Sequence, residues 1–269
     1  MKLPVRAFQI LRNEGGYEFL KKGIQFVESN TIARSGYYQS VAPFVYNKLG
    51  SFEVDEYDAP CDPYKIIWVD PDEIIEVSRR PVPIDRWAFG QVQDGEWDTR
   101  GDFMYKDFHD WHAEIYQTKF YDDYIFHQAL KDHFNENVPW EDTQFFELAL
   151  QYIEEGWSLW KGSSSKEELF ERADQVDEIY QSIKTRGYKP YHEIETARFP
   201  KLRRHEIQID IGRTGELLFV EGRHRLSIAK ILEIEKVPVV VLVRHKKWME
   251  HRNDAYENRC HNHPDYTEW

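Results

Sequence analysis

The fold is decided by residues 220–241, VEGRHRLSIAKILEIEKVPVVV. This stretch begins at the end of an apolar strand that starts at Leu217, and passes through a turn rich in arginine. A short helix is predicted over 227–232. A nearly continuous β-branched run follows from Val237 to Val243, which is typical of a strand buried on both faces. The order strand, turn, helix, strand predicts a fold that mixes α and β structure.

The residues before this stretch predict a β-hairpin. Three isoleucines within 206–211 alternate with Gln208 and Asp210, which indicates a half-buried strand with one polar face. The segment 212–215 holds two glycines and makes the turn into the return strand. We therefore expect this strand to expose its polar residues to solvent.

The best-marked predicted helix lies in the middle of the chain. Ser164 with Glu167, or Ser165 with Glu168, forms a capping box at its start. Apolar residues then recur at helical spacing, and Gly187 occupies the position of a left-handed C-terminal residue. Other patterns predict helices over 5–27, 108–135 and 143–156 (the last capped by Asp142 or Thr143), a buried strand over 65–69, and a loop or hairpin over 85–100.

Composition limits the class of protein. The chain has 269 residues, 41% hydrophobic and 15% aromatic, which is enough for a packed core. We find no apolar run of about 18 residues and no secretory-signal pattern, so we expect no membrane partner. Because the only cysteines are Cys61 and Cys260, we expect a cytoplasmic protein without a disulfide framework. A net charge of −13 disfavours nucleic acid as a partner.

The charge is unevenly distributed along the chain. Residues 198–252 contain 13 Lys and Arg against 7 Asp and Glu, within a chain that is strongly acidic overall. A basic segment of this kind suggests a local anion site. The alternative is a charged surface in contact with solvent.

The turn at 221–225 contains the groups of an anion site. Gly222 lets the backbone approach an anion at a helix N-terminus, where N–H groups lack partners. Arg223 and Arg225 carry guanidinium groups that suit phosphate or carboxylate. His224 can donate a hydrogen bond or transfer a proton, and Glu221 can bind a metal or act as a base. The alternative is a structural turn whose arginines pair with the chain's own carboxylates.

The stretch 220–241 resembles the signature of ParB-like nuclease and sulfiredoxin-like domains. That signature is an acidic residue, a glycine, a turn rich in His and Arg, a helix of small residues, and a strand that begins near a proline. Residues 183–190 resemble the family's upstream helix, and 68–74 its opening strand. The resemblance covers about 65–77 and 164–248, and the stretch between is an insertion or an elaboration of a subfamily.

The resemblance implies an α+β fold with a ParB/sulfiredoxin-like mixed sheet and helical elaboration. We expect an N-terminal helical and irregular extension over 1–62 and the domain itself over 63–252. A helical insertion would fall at about 100–163, and a C-terminal tail over 253–269. The sequence leaves the oligomeric state open.

In the family this turn binds the phosphates of a nucleotide. The resemblance implies a nucleoside triphosphate, ATP or CTP, with Mg²⁺ as cofactor. Glu221 and His224 are the implied catalytic residues, and Glu221 is the implied metal ligand. The implied phosphate-binding residues are Gly222, Arg223, His224, Arg225 and Ser227.

Comparison with the family's known activities removes one of them and disfavours another. The sulfiredoxin reaction is set aside, because its catalytic cysteine falls where this chain has Arg223. The DNA clamps of the family carry a helix-turn-helix reader after the nucleotide domain, whereas only 243–269 follow here. We therefore expect a Mg²⁺-dependent phosphotransferase or nucleotide hydrolase acting on a small molecule. The alternatives are a non-catalytic, nucleotide-switched binding module and a ParB-like DNA-binding protein or nuclease.

Other residues are weaker candidates. His109 and His112 are spaced as a helical metal pair, and Cys260 with nearby histidines forms a second possible metal group. Segments 94–98 and 140–143 pair acids with tryptophan, so Asp98 or Asp142 would supply Mg²⁺ ligands or a base, although core packing of Trp97 and Trp140 explains the same pattern. Four cations would extend the anion pocket, unless they are surface charges: Lys189, Arg203, Arg204 and Arg213.

Overall fold

The structure is a computed structural model of the chain. It describes residues 53–63, 65–80, 89–99, 118–160, 162–194, 205–258 and 263–266, which all lie in one compact unit. Several predicted features lie outside the described residues. They are the helix over 5–27, His109 and His112, Arg203 and Arg204, and Cys260 and His261.

The described residues form a six-stranded mixed sheet. Its order is β1-β6-β4-β5-β2, and β3 also pairs with β6. The pairs β1/β6 and β4/β5 are antiparallel, whereas β2/β5, β3/β6 and β4/β6 are parallel. The mixed sheet confirms the predicted α+β class. The strands are β1 (Ile66–Val69), β2 (Glu76–Val77), β3 (Gln91–Gln93), β4 (Ile207–Ile211), β5 (Leu217–Glu221) and β6 (Val237–His245).

Helices connect the strands and cover one face of the sheet. The α-helices are α1 (Ile125–Glu136), α2 (Gln144–Glu154), α3 (Lys166–Arg186), α4 (Tyr191–Ile194), α5 (Arg223–Ile231) and α6 (Lys246–Asn258). Short 3₁₀ turns cover Glu53–Glu56, Pro71–Glu73, Tyr121–Asp123, Trp140–Asp142 and Pro264–Tyr266. Among the described residues, no helix is long and apolar enough to cross a membrane.

Two predicted helix starts are confirmed by their caps. The Thr143 hydroxyl accepts from the backbone N–H of Phe146 at the start of α2. The Ser165 hydroxyl accepts from the N–H of Glu168 at 3.2 Å, while the Glu168 carboxylate accepts from the N–H of Ser164. The second hydrogen bond of the capping box is therefore made to the N–H of Ser164, one residue before the N-cap residue Ser165. At the end of α3, Gly187 has a positive φ of 76° but an extended ψ of 166°, so it is not the left-handed residue that we predicted.

The prediction that β4 is half-buried is wrong, because all five of its residues are buried. β4 lies between β5 and β6, and both faces of the sheet are covered there. Asp210 tolerates this position because it accepts from the Ser78 hydroxyl at 2.6 Å, the Arg80 guanidinium at 3.0 Å and the backbone N–H of Val243 at 3.1 Å. A buried carboxylate needs such partners to offset the loss of its water.

The two faces of the sheet have separate apolar cores. One core packs the isoleucines of β4 against α1, α2, α3 and α5, together with many aromatic side chains. The other core is smaller and packs Phe89 and Trp97 against β5 and β6. The helices of the predicted insertion therefore lie on the same face as α5.

The C-terminal residues pack against the domain where the structure describes them. The boundary expected at 252 falls inside α6, and Asp265 is 1% exposed. Its carboxylate accepts from Arg244 at 2.6 Å and from the indole N–H of Trp248 at 2.9 Å, and Arg252 lies 3.0 Å away. Burial alone would raise the pKa of Asp265, but the two arginines lower it to about 2.

Candidate functional site

The turn between β5 and α5 is built around a glycine. Gly222 has φ 102° and ψ 26°, a conformation that side chains rarely adopt. A Cβ at this position would lie 3.0 Å from the Cα of Ile207 on β4. Glycine is therefore required both by the backbone conformation and by the close approach of the neighbouring strand.

The helix that follows begins earlier than the sequence predicted. α5 starts at Arg223, four residues before the predicted start, so Arg223, His224 and Arg225 occupy its first turn. This turn contains no acidic residue, and Gly222 provides no side-chain cap. Cations are disfavoured at a helix N-terminus, because the unpaired N–H groups there already carry partial positive charge. An anion near this end would offset part of that cost.

Arg223 is accompanied by a second arginine from α3. The Arg223 guanidinium donates to the hydroxyl of Tyr124 at 3.0 Å. Burial lowers the pKa of Arg172, and the charge of Arg223 lowers it further. The Nε atom of Arg172 is buried and has no hydrogen-bond partner among the described residues, although its Nη1 contacts Gln175. The charge of Arg223 thus acts on Arg172, and the Nε atom of Arg172 has unused hydrogen-bonding capacity.

Arg225 has a different environment. Its Nη1 donates to the buried carboxylate of Glu206 at 2.8 Å, and its Nη2 donates to the backbone oxygen of Lys189 at 2.7 Å. Its guanidinium also lies 4.6 Å from the centre of the Tyr188 ring. Arg225 therefore joins the turn to the segment after α3 and to the start of β4. For Arg225, the structure thus agrees with the alternative that an arginine of the turn pairs with a carboxylate of the chain.

His224 faces the helical insertion. Its Nε2 accepts a hydrogen bond of 2.8 Å from the indole N–H of Trp160. The two rings are nearly parallel, at 13°, and the ring of Phe126 meets the imidazole edge-on at 5.0 Å. Because an indole nitrogen only donates, Nε2 of His224 carries no proton in this arrangement.

Ser227 lies beneath the first turn of α5. It is fully buried, and its hydroxyl is 2.9 Å from the hydroxyl of Tyr121. Tyr121 in turn donates to the backbone oxygen of Arg223 at 3.0 Å. Burial raises the pKa of Tyr121 well above its usual value, so this hydroxyl keeps its proton. The pair supports the turn from the core side.

Glu221 ends β5 and is half-buried opposite Gln208 of β4. In the parts of the chain that the structure describes, no group of three or more His, Cys, Asp or Glu side chains is arranged to hold a metal ion. A protein-only metal cage is therefore not present there. A nucleotide-bound Mg²⁺ needs only one or two carboxylates besides the phosphates, so the absence of such a group does not test the predicted role of Glu221.

The acids near tryptophans have structural partners. Asp98 accepts from the Arg213 side chain at 2.7 Å and from its backbone N–H at 2.8 Å, so both residues fix the loop after β3 to the β4–β5 hairpin. Trp97 is buried, and its ring stacks on His245 at 5.8 Å. Asp142 is exposed and lines an acidic groove with residues of α2. Arg213, one of the four cations predicted to extend the anion pocket, therefore pairs with Asp98 at the hairpin.

Sequence reasoning missed Arg172, Tyr124 and Trp160, which all contact or approach the turn. Arg172, Trp160 and Tyr124 lie 49, 61 and 97 residues upstream of Glu221, and nothing in their own segments links them to the turn. Only the packing of the helices on α5 brings them to the site.

A scan of family models and searches of curated proteins and of solved structures found no match to this chain. The ParB/sulfiredoxin resemblance accordingly stays a prediction, and function must be argued from the geometry of the site.

Proposed function

We propose that this protein is a ParB/sulfiredoxin-like domain that binds the phosphates of a nucleoside triphosphate, ATP or CTP, at the turn 221–225. Phosphoryl transfer to a small molecule, or hydrolysis, would follow with Mg²⁺. The proposal is carried by one observation. The charge of Arg223 lowers the pKa of Arg172 on α3, and Arg223 lies in a first helical turn that has basic residues but no acidic residue or side-chain cap.

An anion would relieve the electrostatic cost of this arrangement. The charges of Arg172 and Arg223 repel each other, and the partial charge of the helix terminus adds to the repulsion. A phosphate group would accept from the buried Nε of Arg172 and from the backbone N–H groups of the first turn. Gly222 would let it approach the backbone closely.

The turn residues then divide into two roles. Arg223, Arg172 and Gly222 would contact the phosphates. Arg225 and Ser227 would hold the turn in place through Glu206 and Tyr121. This division differs from the resemblance, which implies phosphate contacts for Arg225 and Ser227 as well as for Gly222, Arg223 and His224.

Magnesium would arrive with the nucleotide. Its role in such a site is to neutralise charge on the phosphates. Glu221 is the carboxylate nearest in sequence to the turn and would complete the coordination.

The transfer step would be an in-line displacement. The acceptor hydroxyl, or water in hydrolysis, forms a bond to the γ-phosphorus while the bond from that phosphorus to the bridging oxygen breaks. The nucleoside diphosphate leaves with the electron pair of that bond, and the acceptor's proton passes to a carboxylate such as Glu221. The Nε2 atom of His224 already accepts from Trp160, so it is not available as the base.

Calorimetric titration of ATP, CTP and GTP with Mg²⁺ tests the binding step. Wild type is compared with Arg172→Ala and Arg223→Ala. A hydrogen bond to a charged group contributes about 1.5–3 kcal/mol, so each variant should bind roughly 10- to 150-fold more weakly. Arg186→Ala is the matched control, because it removes the same charge from α3 about 20 Å along the helix from Arg172. It should bind within about 2-fold of wild type.

Two results would overturn the proposal. One is the absence of nucleotide binding by folded wild type. The other is equal weakening by the Arg186 and Arg172 variants, which would point to general charge attraction. Arg225→Ala is a poor test of binding, since it also unpairs the buried carboxylate of Glu206.

The second candidate function is a non-catalytic, nucleotide-switched module. It is favoured by the engagement of His224 with Trp160, which removes Nε2 of one of the two implied catalytic residues from proton transfer. Release of nucleoside diphosphate over time distinguishes the two functions. Binding without product, in the presence of Mg²⁺ and candidate small-molecule hydroxyl acceptors, would favour the module.

A further inference from the structure

The insertion presents one unusual residue to the turn. Trp160 is 4% exposed and has φ 43°, a left-handed conformation that bulky side chains rarely adopt. It lies between Leu159 and Ser163, which are joined by two backbone hydrogen bonds. The N–H of Leu159 donates to the oxygen of Ser163 at 2.9 Å, and the N–H of Ser163 donates to the oxygen of Leu159 at 2.7 Å. Strained backbone of this kind persists only where the surroundings enforce it.

The surroundings of Trp160 fix its ring. Phe145 lies edge-on at 5.1 Å, Phe126 at 5.6 Å, and Trp140 is tilted at 6.1 Å. These contacts aim the indole N–H at Nε2 of His224, 2.8 Å away. The hydrogen bond thus joins a buried part of the insertion to the second residue of α5.

This bond determines where the proton of the imidazole resides. A neutral imidazole carries one proton, and the indole N–H can only donate. Nε2 of His224 must accept, so Nδ1 carries the proton. A proton on Nε2 would face the indole N–H and break the bond.

We propose that Trp160 is a positioning residue of the anion site, which holds His224 in the Nδ1–H tautomer. His224 is then neutral and cannot act as a base through Nε2. The helical insertion, and not only the turn, thereby sets which nitrogen of His224 carries a proton beside the site. This last step rests on the proposed function, whereas the tautomer does not.

The tautomer is measured on wild type without ligand. Two-bond ¹H–¹⁵N spectra should show a protonated Nδ1 and an unprotonated Nε2 for His224. A scalar coupling across the hydrogen bond should connect the Trp160 indole nitrogen to that Nε2. Trp140 is an internal reference, because its indole N–H donates to a carboxylate oxygen of Asp177 at 3.0 Å and should give no such coupling.

Two variants separate positioning from packing. Trp160→Phe keeps an aromatic ring but removes the donor, so His224 should lose the fixed Nδ1–H tautomer. Trp140→Phe removes an indole N–H from the same aromatic cluster and should leave the His224 spectrum unchanged.

The possible results are distinct. A wild-type His224 with its proton on Nε2, or one without coupling to Trp160, overturns the inference whether or not Trp160→Phe folds. An unchanged tautomer in folded Trp160→Phe also overturns it. If wild type shows the Nδ1–H tautomer but does not bind ATP, the proposed function fails while the control of the tautomer by Trp160 is upheld.

Discussion

Mild acid should destabilise this protein through one buried histidine. His127 on α1 is 3% exposed, and burial lowers its pKa to about 4 from 6.5. Lys131 and Lys230 lower this pKa further, and the carboxylates of Asp122 and Asp72 oppose the shift. Its Nδ1 is buried and has no hydrogen-bond partner among the described residues, so a proton there would gain no partner.

The sign of the effect follows from the two pKa values. Because the folded-state pKa of His127 is below the unfolded value, the unfolded chain takes up the proton first as the pH falls. The stability of the neutral form is fully present above about pH 6.5 and is lost as the pH falls toward 4. A shift of this size corresponds to about 3 kcal/mol in total, of which about 2 kcal/mol is lost by pH 5.

Urea unfolding at pH 7 and pH 5 measures this loss. The variant His127→Phe keeps an aromatic ring beside Tyr121 and cannot be protonated. From pH 7 to pH 5, the unfolding free energy of wild type should fall by about 2 kcal/mol more than that of His127→Phe. His251→Phe changes an exposed histidine on α6 and should follow wild type. A difference between wild type and His127→Phe that stays constant from pH 7 to pH 5 would refute the reasoning.

Three further substitutions test the packing around the site, each by urea unfolding. Gly222→Ala should cost about 1–3 kcal/mol, because of its positive φ and the nearby β4 backbone; an unchanged stability would contradict this strain. Glu206→Gln should cost about 3 kcal/mol by leaving the charge of Arg225 unpaired, and a double variant with Arg225→Gln should recover part of it; a fully additive loss would argue against their coupling. Asp265→Asn should cost about 3–5 kcal/mol at pH 7. Since the folded-state pKa of Asp265 is lowered to about 2, the wild-type advantage should shrink by about 2 kcal/mol as the pH falls from above 3.8 toward 2, and an advantage that stays constant over this range would contradict the ion pair.

The sequence determined the features that depend on near neighbours in the chain. The β-branched run of β6, the hairpin turn at 212–215 and the cap of α3 at Ser165 were all readable, because each reflects local geometry or local hydrogen bonding. Gly222 was also readable as a point where the backbone needs freedom. The class of fold followed from the order of these elements.

The solvent exposure of the side chains in β4 was less predictable. The alternation in β4 indicated one polar face toward solvent, yet Gln208 and Asp210 are buried. Periodicity reports which residues share a face, and it does not report what covers that face. Here Asp210 binds Arg80 and Ser78, more than 100 residues away in the chain.

Only the tertiary structure decided the roles of the residues in the turn. Arg223 and Arg225 are equivalent in sequence terms, but α3 places Arg172 near the first and Glu206 pairs with the second. The sequence left His224 free to donate a hydrogen bond or to transfer a proton, whereas in the structure its Nε2 accepts from an indole of the insertion. The physical reason is that charge pairing and tautomer depend on atoms within a few ångströms, and in this turn those atoms come from distant parts of the chain.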